Sequence, residues 1–220
     1  MIDSGIYFGN IHSFYDLNLI LSAVSIPPAK PKTSYIDIPG ADGSLDTTEV
    51  HGSVKYNDRD CKFTLTMNPD GDLSESAWEE KKTQIANALN GKYFERITID
   101  KNPEYYYSGR CSVDEYLSNK KLRQFVVTAK VRPYKMRNTE TVAMFNISTT
   151  PKVVKLNNEK KVVSPVVECT GQTTIIFDGA TINLYAGTQK VRDIQLAEGE
   201  NKLTISGTGN VTFRYREGAL

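Results

Sequence analysis

The chain has 220 residues, 39% of them hydrophobic and 24% charged, with a formal net charge of +1. That balance is too apolar and too neutral for a disordered chain, and the length suffices to bury a core without disulfide or metal staples. Basic and acidic residues also balance on either side of Asn138, and no run of Lys and Arg offers a sequence-independent grip on nucleic acid, so polyanion binding is not expected.

The N-terminus, Met1-Ile2-Asp3-Ser4, has no basic region. The apolar stretch from Leu17 to Ile26 is broken by Asn18, Ser22 and Ser25, so neither a signal peptide nor a membrane anchor is expected. Next comes Ile26-Pro27-Pro28-Ala29-Lys30-Pro31, which must be extended because each proline fixes its own φ and restrains the residue before it. Pro39-Gly40 fits the two central positions of a type II turn, and Asp42-Gly43 is a hairpin-type pair. Residues 26–49 therefore read as an arm carrying a glycine-turned hairpin, set apart from the core.

Beyond the arm, Cys61, Phe63, Leu65 and Met67 share one face while Lys62, Thr64 and Thr66 share the other, which describes a half-buried antiparallel strand. Asn68-Pro69-Asp70-Gly71-Asp72 reads as a turn. A helix is predicted over residues 76–89, with Ser76 and Glu79 as a capping box, Trp78, Ile85 and Leu89 facing the sheet, and Asn90-Gly91 as its stop. In the cluster Tyr105-Tyr106-Tyr107, strand alternation sends Tyr105 and Tyr107 to one face and Tyr106 to the other. Those rings suit either core and rim or a protein interface, where one end is apolar and the other wet. Phe125, Val127, Ala129 and Val131 mark another strand.

From about Thr139 helix signals vanish. Short strands at Val153–Leu156, Val166–Cys169, Thr173–Phe177, Thr181–Tyr185, Lys202–Ser206 and Val211–Arg216 predict a small β-sandwich over residues 139–220. The fold class is mainly β with one helix, in two domains, residues 1–138 and 139–220.

Catalytic signatures such as GxSxG, GxxxxGK, GxGxxG and HExxH do not occur in the sequence. His12 is followed by Ser13 and Asp16, but sequence neighbours seldom meet in triad geometry, and local turn bonding is expected instead. His51 has no second ligand at a useful spacing. A calcium loop placed on Gly71 would require acidic ligands at Thr66 and Ala77, so that reading fails. Cys61, Cys111 and Cys169 are odd in number without a CxxC pair, and are expected to be buried reduced thiols. Asn146-Ile147-Ser148 and Asn210-Val211-Thr212 are sequons without meaning in a protein that is not secreted. Neither a catalytic residue nor a metal or cofactor is expected.

Four segments resemble the distal tail proteins of long-tailed phages that infect Gram-positive bacteria. The first runs from His12-Ser13-Phe14-Tyr15-Asp16-Leu17 to Leu21 and on through the proline arm to Lys32. The second, and the most specific, is Ile38-Pro39-Gly40-Ala41-Asp42-Gly43-Ser44-Leu45-Asp46-Thr47-Thr48-Glu49. The third joins Asn102-Pro103-Glu104-Tyr105-Tyr106-Tyr107-Ser108-Gly109-Arg110 to Val131-Arg132-Pro133-Tyr134-Lys135. The last runs from Gly199-Glu200-Asn201 to Val211-Thr212-Phe213-Arg214-Tyr215-Arg216-Glu217-Gly218. Asn18 stands where the family pattern has glycine, and asparagine tolerates the left-handed conformation such a turn needs.

The resemblance implies a split-barrel-like first domain that assembles into a homo-hexameric ring, and a galectin-like second domain. It implies as partners the tail tube protein, the tail-associated spike and a receptor-binding protein, with the mature protein in the virion tail tip after assembly in the host cytoplasm. Sequence-specific nucleic acid and membrane are not among the implied partners. Candidate inter-subunit or tube contacts are Pro27, Pro28, Pro39, Gly40, Asp42, Gly43, Asp46, Tyr105 and Tyr107. A rival reading is a carbohydrate-binding module contacting the cell wall through Phe177 and Tyr185. A tail-borne hydrolase is a third reading, without a supporting motif.

Overall fold

The computed structural model describes residues 5–50, 52–119 and 122–220. His51 and Met1–Ser4, discussed above from sequence, lie outside the described residues. The chain divides into two compact units, Met1–Pro133 and Tyr134–Leu220.

The first unit begins with β1 (Ile6–Phe8), β2 (Ile11–His12) and β3 (Leu19–Ser25), followed by the small strands β4 (Tyr35–Asp37) and β5 (Ser44–Asp46). It continues with β6 (Arg59–Met67), α1 (Glu75–Leu89), β7 (Tyr93–Ile99), β8 (Tyr105–Ser118) and β9 (Arg123–Val131). Seven of these strands form an antiparallel path in the order β2, β1, β7, β8, β9, β6, β3. The strands at its two ends, β2 and β3, are joined by a single turn in which Leu19 N–H donates to the Ser13 carbonyl at 2.7 Å. A flat seven-stranded sheet would hold its ends roughly 29 Å apart, too far for that bond, so the sheet curls toward closure. Asn18 takes the tight corner with φ 51°, a left-handed conformation that its short amide tolerates.

Period two governs what is buried. In β6, Cys61, Phe63, Leu65 and Met67 enter the core and alternate with Lys62, Thr64 and Thr66. In β9, Phe125, Val127, Ala129 and Val131 do the same. Helix α1 lays Trp78, Ile85 and Leu89 onto the sheet, with the Trp78 and Phe125 ring centroids 4.8 Å apart.

The helix is capped two residues earlier than the sequence pattern suggests. Ser74, not Ser76, is the N-cap, and its hydroxyl accepts from the Ala77 amide. Asp72 accepts from the Ser74 amide, so an Asx turn presents Ser74 at the helix mouth and leaves Ser76 inside the first turn.

The second unit comprises β10 (Lys135–Arg137), β11 (Thr141–Ile147), β12 (Lys152–Asn158), β13 (Val166–Cys169), β14 (Thr173–Phe177) and β15 (Ala180–Leu184). It ends with β16 (Gly187–Lys190), β17 (Gly199–Gly207), β18 (Gly209–Tyr215) and β19 (Gly218–Ala219). Two four-stranded sheets, β11-β18-β13-β16 and β12-β17-β14-β15, enclose a core of Val154, Leu156, Val167, Ile175, Leu203, Ile205 and Phe213. Buried Asn158 and Asn201 fasten the loop before β17: Asn158 donates to the Leu196 carbonyl, and Asn201 both accepts from the Ala197 amide and donates to the Leu156 carbonyl. Strands β10, β11, β16 and β19 have no counterpart in the sequence-based prediction.

The capping assignment has a direct check. Ser74→Ala should lower stability by about 1 kcal/mol, whereas Ser76→Ala should leave the denaturant midpoint unchanged. Equal effects of the two substitutions would return the cap to Ser76.

Candidate functional site

The arm is a built element. Pro31 bridges to Tyr56, Lys32 N–H donates to the Lys55 carbonyl and Asn57 N–H to that of Lys30. The limb that sequence bounds at residue 49 therefore has a returning leg that reaches Asn57. Pro27 is half-buried at its root, and Pro28 is exposed. Beyond the root, β4 and β5 pair only with each other. The turn expected at Pro39-Gly40 is present: Ala41 N–H donates to the Ile38 carbonyl, and Gly40 has φ 83°, the left-handed second position of a type II turn. Asp42-Gly43 does not form a two-residue hairpin turn. The loop between Asp37 and Ser44 holds six residues, and Gly43, with φ 78°, closes its far end.

The register Tyr35↔Asp46, Ile36↔Leu45, Asp37↔Ser44 sorts the hairpin into two faces. One carries Tyr35, Asp37, Ser44 and Asp46. There Ser44 Oγ donates to Asp37 Oδ1, and hydrogen bonds from the Thr48 hydroxyl and then its amide hold the Asp46 carboxyl below the ordinary carboxylate range. The other carries Ile36 and Leu45 side by side, with Ile38 next along the strand. These three are 53%, 53% and 49% exposed. A short two-stranded ribbon with a bare apolar face is marginal in water.

Near the arm's root, Val24, Ile26, Ile99, Tyr105 and Tyr107 line a mainly apolar cleft of about 210 Å³, with Lys101 and Asn102 at its border. Tyr105 and Tyr107 thus share a face, as the alternation predicted, while Tyr106 lies under the Arg96 guanidinium at 5.0 Å. Arg59, almost wholly buried, sits 5.4 Å from the Tyr107 ring centroid. The structure places the arm residues together and Tyr105 and Tyr107 together, as two separate apolar features of one unit.

His12 is committed to the fold. Its Nδ1 accepts from the amides of Phe14 and Tyr15 at 3.2 and 3.1 Å, which leaves the proton on Nε2, facing Asp100 Oδ2 at 3.1 Å. The ring lies between Tyr7 and Tyr15, and Ser13 Oγ accepts from the Ile6 amide. Asp16 accepts from the His12 backbone. Of the two sugar candidates, Phe177 is in the sandwich core, so its ring has no face to offer a pyranose, because period two turned it inward. Tyr185 is exposed. The three cysteines are buried and unbridged.

No family model matches the sequence, and no curated protein matches it either. Among solved structures, the fold has a counterpart in a phage protein. The chain superposes on the crystal structure of SPP1 Dit (gp 19.1), described as a paradigm of the hub adsorption apparatus in phages infecting Gram-positive bacteria. The TM-score is 0.72 over 96% of this chain and 98% of that one, at 14% identity. At that coverage the match extends over both units, so the mainly β fold is shared.

Burial raises the Cys61 thiol to about 11 and the Cys111 thiol to about 12, and pushes Cys169 up as well. Because unfolded thiols titrate near 9, stability is intact below that pH and falls as pH rises toward 11 and 12. At pH 8 none of the three should react with a thiol reagent in the folded chain, and all three should react after denaturation. Rapid native labelling of Cys61 or Cys111 would refute their placement.

Proposed function

We propose that the chain is a structural component of a phage tail: a distal tail protein that closes into a homo-hexameric ring and joins the tail tube to the spike and receptor-binding apparatus. The observation that carries this reading is the arm hairpin, whose apolar face stays about half exposed and whose strands pair with no other strand among the described residues. The likeness to a hub protein over nearly the full length of both chains supports the same assignment.

The arm completes the surface of an adjacent copy. Ile36, Ile38 and Leu45 project from a hairpin held by the proline leg, and the cleft lined by Val24, Ile26 and Tyr105 has the matching apolar character. A protruding patch and a receiving patch on different parts of one chain make a head-to-tail contact, which yields a closed ring when the rotation is right. Pro39 and Gly40 shape the loop, Asp42 and Gly43 end it, and Asp46 ties β5 to Thr48. The tail tube, spike and receptor-binding proteins are the further partners, and the virion tail tip is the site of action.

Light scattering or electron microscopy of the purified protein should show a six-fold ring. Ile36→Lys combined with Leu45→Lys should release monomers whose thermal midpoint matches that of the parent unit, since both side chains are already half in water. Normal oligomers from that double variant, or from a chain lacking residues 27–46, would remove the arm from the interface.

A further inference from the structure

Arg59 opens β6 on the strand face that also carries Cys61 and Phe63 into the core, and it is 5% exposed. Its Nε and Nη2 are buried without a hydrogen-bond partner. The carboxylates on either side of it in sequence, Asp58 and Asp60, are both exposed, and neither supplies the missing acceptor. The guanidinium carbon lies 5.4 Å from the Tyr107 ring centroid. Attraction to the ring offsets part of the cost of burying the charge, but it leaves the two N–H donors unmet. Native interiors almost always satisfy such donors, and a buried charge without a counterion is costly to keep.

Tyr107 is also a wall of the apolar cleft at the arm's root, with Val24, Ile26, Ile99 and Tyr105 around it and Lys101 at its border. No carboxylate is among the residues that line this cleft. The receiving surface is therefore apolar with positive charge at its edge and behind one wall.

The arm has the complementary character. Residues 33–50 contain Asp37, Asp42, Asp46 and Glu49 and neither Lys nor Arg. Two of these acids are already engaged on the hairpin's polar face, Asp37 by the Ser44 hydroxyl and Asp46 by the Thr48 amide. Glu49 lies beyond the end of β5. Asp42 is exposed in the connecting loop, directly after Ala41, whose amide donates to the Ile38 carbonyl. Its carboxylate therefore travels with Ile38, the apolar residue nearest the hairpin's tip.

We infer that Asp42 of one copy of this chain is the counterion of Arg59 in the adjacent copy. The inference rests on the reading that the arm docks in a neighbour's cleft, and it names the polar contact made there. A carboxylate matches the guanidinium fork with two parallel hydrogen bonds. Three aliphatic side chains can slide over an apolar wall with little penalty. A directional ion pair beside them fixes one register and penalises the others.

Sedimentation of the full chain over a concentration series reads the contact. Asp42→Asn should raise the concentration at which the chain assembles by about tenfold or more, with the thermal midpoint of the dissociated chain unchanged. Arg59→Met, which keeps the hydrocarbon stem, should raise it similarly, and the double variant should assemble no worse than the poorer single one. Asp58→Asn should assemble like the parent. Parent-like assembly of Asp42→Asn overturns the pairing, as does a double variant whose losses simply add. Should Arg59→Met fail to fold, Asp42→Asn decides alone. If Asp42→Asn assembles normally while Ile36→Lys with Leu45→Lys still releases monomers, the ion pair falls and arm docking stands. Normal assembly of that lysine variant removes both.

Discussion

The arm imposes the strongest constraint on how this chain can exist in solution. Its hairpin pairs two strands of three residues each and keeps Ile36, Ile38 and Leu45 half exposed on one face. Completing their burial is worth on the order of 1 kcal/mol apiece, about half the value for a fully exposed branched side chain. Three such residues contribute less than the several kcal/mol that association costs in lost freedom. Hairpin burial alone therefore cannot hold a subunit contact together, and the receiving surface must add area of its own. In the ring proposed above, the apolar cleft at the arm's root is the surface that would supply such area, and closure would mean that no subunit leaves without breaking two contacts.

Rigidity at the arm's base makes the hairpin usable. Prolines at positions 27, 28 and 31 limit the outgoing leg to extended conformations, so little backbone freedom remains to be lost on docking. The returning leg is tied to it by amide bonds from Lys32 and Asn57. The same economy appears where the sheet curls. Asn18, whose Oδ1 accepts from Asn68 Nδ2, holds the corner between β2 and β3, and the buried His12 fixes the turn before it by accepting from two of its amides while its other ring nitrogen faces Asp100. These polar groups define geometry in places where an apolar side chain would have left backbone donors unpaired.

Much of this architecture can be read from the sequence, because burial in a β protein follows a period of two. The strands around Phe63, Phe125, Val167, Ile175 and Phe213 each alternate clearly. Strand β11 does not: Val142 and Met144 are apolar yet face outward, so both faces look alike and the period blurs. In β16 all four residues are exposed, and a polar edge strand carries no burial signal at all. The helix cap shifted from Ser76 to Ser74 for a different reason. Ser74 and Ser76 both satisfy the residue preference for a cap, and only the Asx turn at Asp72 decides between them. The arm was legible through its prolines and glycines, but its returning leg, Ser53 to Asn57, contains neither proline nor a periodic pattern.

Charge shows the limit of one-dimensional reading most clearly. Counted along the chain, basic and acidic residues cancel, and no segment looks like a polyanion site. In the folded second unit, acids and bases that are mixed in sequence separate in space. Glu159, Glu168 and Glu198 pair with Arg137, Arg214 and Lys160, while Lys190, Arg192 and Arg216 line one concavity that has no carboxylate among its lining residues. A balanced composition thus limits the field of the whole protein but not the field inside one cleft, where the distances between groups are short and the surrounding dielectric is low. The apolar arm and the basic cleft lie on different units and draw on different forces, burial of hydrocarbon in one and charge in the other. Salt screens interactions between charged groups and leaves the burial of hydrocarbon undiminished.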